Sequence, residues 1–132
     1  MSEQVMRQRV IHALKRLDAI SVENAVYPGT PDVNFAEGWI ELKWVNEWPA
    51  CDGSTVVLRH FTAQQRVWLM RRWRAGGNAW LMLQCKREWF LFTGETAANI
   101  VGKATRSSLI TFAHKYWEFG LQDDELIEAL KR

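Results

Sequence analysis

The sequence predicts an α/β fold in which a mixed β-sheet is flanked by helices. Three observations carry this. Amphipathic helical stripes recur over residues 2–17, 62–75 and 122–131. A hairpin pattern of alternating apolar residues follows the first stripe. Two dense apolar runs, split by a short basic turn, follow the second. One domain accommodates all 132 residues, enough to bury a real core.

The first helix is expected over Ser2–Leu17, where Met6, Val10, Ala13, Leu14 and Leu17 share a stripe. Glu3 falls on that stripe one turn before Met6, where an acid also suits the positive helix end. A first strand is expected over Ile20–Tyr27, stopped by Pro28-Gly29. Asp32–Ala36 and Trp39–Val45 form the hairpin, with its turn between Asn34 and Gly38. Residues 46–54 contain Pro49, Asp52 and Gly53 and read as a loop. Thr55–Phe61 is either a short strand or an extended approach to the next helix. That helix spans Thr62–Ala75, with Thr62 and Gln65 at capping-box spacing. Arg71, Arg72 and Arg74 crowd its last turn, where cations suit the dipole, and Gly76-Gly77 ends it.

Ala79–Gln84 and Glu88–Phe92 are read as covered strands around Cys85-Lys86-Arg87. Glu95–Val101 is a short helix, residues 103–108 a polar loop and Leu109–Phe112 a short strand. Gln122–Lys131 closes the chain as a helix with acids in its first turn. Most of the eight tryptophans fall in these elements, so core packing is their default role. Trp68 and Trp73 could instead leave a patch that joins two copies.

The chemistry concentrates in PGTPDVNFAEGWIELKW, residues 28–44. Alternate strand residues share a face, so Glu41 and Lys43 point one way and Ile40, Leu42 and Trp44 the other. Asp32 on the neighbouring strand can bring its carboxylate toward Glu41. Two carboxylates about 5 Å apart repel by about 3 kcal/mol at an effective dielectric of about 20. A hard divalent cation with oxygen ligands, Mg²⁺ or Mn²⁺, relieves that repulsion. Lys43 supplies a charge able to hold an attacking water or a developing phosphorane oxygen. Glu-x-Lys alone is ordinary for a solvated hairpin; the preceding Pro-Asp at hairpin spacing is what gives it meaning.

Pro31-Asp32 with Glu41-x-Lys43 resembles the PD-(D/E)xK nuclease superfamily, and within it the small Holliday-junction resolvases and the VRR-NUC proteins. The resemblance runs from about Glu3 to Phe92. It implies a restriction-endonuclease-like three-layer core with a central mixed sheet. It also implies metal-dependent hydrolysis leaving a 5′-phosphate and a 3′-hydroxyl. Asp32, Glu41 and the Leu42 carbonyl then hold the metal, and Lys43 acts on water. These nucleases often carry a further metal-site Glu on their first helix, which makes Glu3 the candidate and Glu23 its alternative. In VRR-NUC proteins the glutamine after Glu-x-Lys lies near the site, so Gln65 either joins it or only caps its helix.

Charge supports a polyanionic partner. Residues 1–54 carry a net −3, residues 55–117 a net +8 and residues 118–132 a net −3, giving +2 in all. Arg59, His60, Arg66, Lys86, Arg87, Lys103 and Arg106 are the candidate nucleic-acid contacts. A solvated arginine face and a structural His60 are the bland alternatives. Trp48 beside the site either packs, the favoured reading, or stacks on an unpaired base. Cys51 and Cys85 form no metal-binding pattern and suit a reduced, cytoplasmic setting. The resemblance to small standalone nucleases implies a bacterial or phage-infected cell. No membrane-spanning run, signal peptide, P-loop or nucleophilic triad is present. The expected function is a Mg²⁺-dependent deoxyribonuclease acting on branched DNA as a homodimer. A general nicking, duplex or single-strand endonuclease, or a non-catalytic DNA-binding module on the same fold, are the rivals.

Overall fold

In the computed structural model of this chain, which describes residues 2–23 and 26–132, the sheet grows outward from one strand. β3 (Gly38–Val45) pairs antiparallel with β2 (Val33–Phe35) across the turn Ala36-Glu37, and β1 (Ile20–Ser21) adds to the far side of β2. On its other side β3 runs parallel to β4 (Asn78–Cys85), in unbroken register from Gly38↔Asn78 to Val45↔Cys85. Helix α2 (Ala63–Arg74) makes the crossover that a parallel pair requires. β5 (Glu88–Thr93) and β6 (Lys115–Trp117) follow antiparallel, so the six strands lie in chain order. This is the mixed sheet expected from the sequence.

Period-two alternation divides the interior into two cores. On one face α1 (Glu3–Ala13) and α5 (Asp123–Ala129) bring Met6, Val10 and Leu126 onto Ile40, Leu42, Trp80 and Met82. On the other, α2, α3 (Gly94–Ile100) and α4 (Arg106–Phe112) bring Leu69, Ala97 and Leu109 onto Leu81, Leu83, Phe90 and Phe92. β4 is covered on both faces, which is why residues 79–83 read as one apolar run. Each such side chain, fully buried, contributes about 1.5–3 kcal/mol. Gly94 lets α3 approach α2: a Cβ there would lie 2.6 Å from the Leu69 carbonyl oxygen.

Helix boundaries follow their caps. The Thr62 hydroxyl accepts from the Gln65 N–H at 3.2 Å, and the Gln65 side-chain oxygen accepts from the Thr62 N–H at 2.9 Å, completing the predicted capping box. The loop after β3 is fixed from a distance. Glu88 Oε1 accepts from Arg106 Nη2 at 2.7 Å and from the Tyr116 hydroxyl at 2.6 Å, while its Oε2 accepts from Trp48 Nε1. Burial pushes the Glu88 carboxyl up, but the bonds from Tyr116, Arg106 and Trp48 outweigh it and hold it below the usual range. Trp48 thus packs, edge-on to Phe90 at 5.7 Å.

Three elements differ from expectation, and one left open is decided. The strand expected over Ile20–Tyr27 is paired only at Ile20–Ser21, with Val22 N–H donating to the Asp32 carbonyl at 2.8 Å; its residues 24 and 25 lie outside the described residues. Of the two readings of Thr55–Phe61, the approach to α2 holds, since it forms no strand beyond a bridge of Thr55 to Thr105. Leu109–Phe112 is not a strand but the end of α4. The hydroxyl-rich stretch before it is a helix start, with Thr105 accepting from the Ser108 N–H at 3.2 Å. β6 appears where no strand was expected, because three residues are too few to show alternation. No helix among the described residues is long and apolar enough to cross a membrane.

Leu81→Ala is expected to cost about 2–5 kcal/mol in urea unfolding, since Leu81 is fully buried in the second core. Val57→Ala, at a side chain 64% exposed, is expected to change stability by about 0.5 kcal/mol or less. Similar losses for both would contradict this assignment of the core.

Candidate active site

β3 places Trp39, Glu41 and Lys43 on the face that α2 covers, while Ile40 and Leu42 enter the opposite core. Glu41 is 1% exposed, and its β4 partner across the ladder is Leu81. The β2–β3 ladder stops at Val33↔Ile40, so the edge of β3 beyond Ile40 lacks a backbone partner on that side. The Asp32 side chain fills the gap, its Oδ2 accepting from the Leu42 N–H at 2.9 Å. A strand residue's N–H and C=O leave the backbone on the same side, so the Leu42 carbonyl also faces toward Asp32. From α1, Arg7 reaches Asp32 Oδ1 at 3.5 Å and donates to Ser21 Oγ at 3.1 Å. With 22% of its side chain exposed, Asp32 marks where the site opens to solvent.

Lys43 Nζ lies 3.0 Å from Glu41 Oε2, donates to the His60 carbonyl at 3.0 Å and sits 5.6 Å from the centre of the Phe61 ring. That ion pair occupies Glu41 Oε2, and Oε1 is the oxygen left without a donor among the described residues. Burial, and then the nearby Asp32 charge, push the Glu41 carboxyl up to about 8; Lys43 draws it down only in part. A buried carboxyl with one oxygen free of donors, beside a second carboxylate, is an oxygen donor set that suits a hard divalent cation. No third Asp, Glu, His or Cys joins them in a metal-holding group among the described residues. A Mg²⁺ ion needs only one or two carboxylates, since it keeps several waters.

The other candidates are distributed more widely. Glu3 is exposed in the first turn of α1, without an ion pair or hydrogen bond among the described residues, and Glu23 is exposed beyond β1. Gln65 uses its side-chain oxygen in the capping box. His60 contributes its carbonyl to Lys43, while the residue itself is exposed beside exposed Arg59. Arg66 lies 4.2 Å over the Phe61 ring and donates to the Ala98 carbonyl at 3.1 Å, holding α2 to α3. Arg106 is bound to Glu88, Arg87 donates to the Phe119 carbonyl at 3.3 Å, and Lys86 is 3.7 Å from Glu47. Lys103 is exposed. Trp73 is covered edge-on by Trp80 and by the Arg132 guanidinium. Sequence reasoning placed Arg7 off the apolar stripe of α1 without a role; its spacing to Glu3 points to a pair that does not form, and nothing local signals the contact with Asp32.

No known protein-family model matches the chain, and no curated protein sequence does. Among solved structures, the chain is similar to Hjc, a Holliday junction resolvase from the archaeal hyperthermophile Archaeoglobus fulgidus. The TM-score is 0.57 and the identity 18%, over 96% of this chain and 99% of that one. The likeness is one of fold: the mixed six-stranded sheet flanked by five helices is an α/β nuclease fold like that of Hjc.

The raised Glu41 carboxyl makes the metal-free protein pH-sensitive. Folded chains keep the Glu41 proton up to about pH 8, whereas unfolded chains lose it near the ordinary value of 4.5. Stability contributed by this group is therefore full below pH 4.5 and declines as pH rises toward 8. Thermal melts in EDTA are expected to show Glu41→Gln removing this decline, so that it melts above wild type at pH 8.5. Parallel pH profiles for the two proteins would show that Glu41 does not titrate in this way.

Proposed function

We propose that this chain is a divalent-cation-dependent deoxyribonuclease that prefers branched DNA, with the four-way junction first. The observation that carries the reading is the buried Glu41 carboxyl, one oxygen held by Lys43 and the other without a donor among the described residues, beside the Asp32 charge. The nuclease fold and the likeness to a Holliday junction resolvase support the substrate class. Asp32, Glu41 and the Leu42 carbonyl are the proposed cation ligands, with Glu3 or Glu23 as candidates for a further carboxylate. Mg²⁺ or Mn²⁺ held there would neutralise the paired carboxylates and polarise the phosphate.

The residues of the chain supply the rest. Asp32 is held by the Leu42 N–H, so its orientation is set before substrate arrives. Lys43, anchored by the His60 carbonyl, is placed to orient water and to stabilise negative charge on the phosphate. Water attacks in line, and the bond to the 3′-oxygen breaks. One such site cuts one strand, so symmetric cutting of a junction calls for two copies, and a homodimer belongs to this proposal. A broader endonuclease is the alternative enzyme reading, and a binding module without turnover is the alternative from another class.

Cleavage of matched labelled four-way junction, duplex, nicked duplex and single-stranded DNA tests the reading. Paired symmetric cuts in the junction are expected with Mg²⁺ or Mn²⁺ and not with EDTA. Asp32→Asn or Lys43→Ala is expected to slow cutting by about 10²–10³-fold. Uniform cutting of every substrate would replace the junction reading with the broader nuclease. DNA binding without metal-dependent cutting would leave only the binding module.

Cation binding must displace the Glu41 proton, so Mg²⁺ is expected to raise the melting temperature more at pH 8.5 than at pH 6. An equal rise at both values, or one kept in Asp32→Asn, would place the cation elsewhere.

A further inference from the structure

An open groove of ≈ 880 Å³ adjoins the site, lined by Tyr27, Thr30, Trp39, Trp68, Arg71 and Arg72 among others. Its position follows from the chain. Thr30 lies two residues before Asp32, and Trp39 lies two before Glu41 on the same face of β3, about 6.6 Å along the strand. The near wall is a fixed turn: Thr30 bonds back to the Tyr27 carbonyl through its hydroxyl at 2.7 Å, and Gly29 sits where a Cβ would lie 2.6 Å from the Gln64 carbonyl oxygen. The far wall is the C-terminal half of α2. Trp39 and Trp68 meet edge-on at 5.6 Å, and the Arg72 guanidinium lies 4.5 Å over Trp68.

The lining contains no acid. Arg74 at its rim is neutralised by Glu95 at 2.6 Å, whereas Arg71 and Arg72 are exposed and have no carboxylate partner among the described residues. The helix dipole accounts for cations in the last turn of α2. It does not account for a guanidinium laid on an indole beside a second indole, half-buried, at the mouth of a carboxylate pair. Unpartnered arginines match phosphates, and indole or guanidinium planes match unpaired bases. A closed duplex offers phosphates but no free base faces.

We propose that this groove, formed by Trp39, Trp68, Arg71 and Arg72, holds an unpaired DNA strand and delivers the adjoining phosphate to Asp32 and Glu41. The delivery step rests on the nuclease reading of the neighbouring site; the strand binding does not. A branched DNA engages the groove once bases at its branch point unpair.

The test is fluorescence anisotropy of a labelled 20-mer oligothymidine and a length-matched duplex, with the full chain in EDTA. Wild type is expected to bind the single strand more tightly. Arg71→Glu with Arg72→Glu is expected to weaken single-strand binding about tenfold or more and to flatten its salt dependence. Each lost phosphate contact lowers the logarithmic slope by about 0.7. Trp68→Ala is expected to weaken the single strand by about 5- to 100-fold with the salt slope kept. Trp68→Phe, which keeps an aromatic plane, is expected to recover most of that loss and guards against simple misfolding. Unchanged single-strand binding in the arginine variant, or equal losses for single strand and duplex in Trp68→Ala, would overturn the proposal. Cleavage with Mg²⁺ is scored separately. Wild type that binds as expected but never cuts would sink the nuclease reading and leave strand binding in place. Normal cutting with unchanged binding in the arginine variant would do the reverse.

Discussion

An unsatisfied carboxylate inside the sheet is the constraint on which the rest of the site depends. Glu41 is placed there by strand alternation alone: with Ile40 and Leu42 committed to one core, the residue between them must face the other. A one-residue slip of β3 would move the carboxylate into the core against α1 and expose the leucine. The parallel register with β4, continuous along all of β3, makes such a slip costly. The fold therefore fixes an electrostatically unfavourable group through contacts that are themselves apolar.

Asp32 depends on the same arrangement. Because β2 ends at Val33, the Leu42 N–H needs an acceptor, and the aspartate side chain provides it. The hydrogen bond that completes the sheet edge also aims the carboxylate. Arg7 balances Asp32 from α1, and the His60 carbonyl holds Lys43 from the loop. Four segments thus converge on two acids, and only one of them, β3, contributes through regular strand geometry.

The hairpin was legible in the sequence because its information is local. The alternation around Glu41 and the break at Gly38 place both acids before any tertiary contact is known, and Thr62 with Gln65 announces α2 in the same way. The Thr105 cap carried equal information, but without an acid or amide three residues on it looked like a polar loop, and α4 was missed. β6 could not be read, because its three residues are strand only through pairing with β5. The cations show a harder limit. Arg66 and Arg106 look like phosphate contacts in a basic stretch, yet one spans α2 and α3 and the other binds Glu88. Partner choice across the fold leaves no trace in spacing, and so Arg71 and Arg72, read as dipole partners, were not singled out.

Glu88 gives this chain a property that Asp32, Glu41 and Lys43 do not have. By joining Trp48, Arg106 and Tyr116 it ties the loop after β3 to the last third of the chain. That same loop carries His60, on which Lys43 rests. The loop is held to residues 104–117 at both Trp48 and Thr55–Val56, contacts that must break before it opens. Amino-acid changes at residues 106 and 116, far from either acid in sequence, therefore act on the loop whose His60 carbonyl holds Lys43.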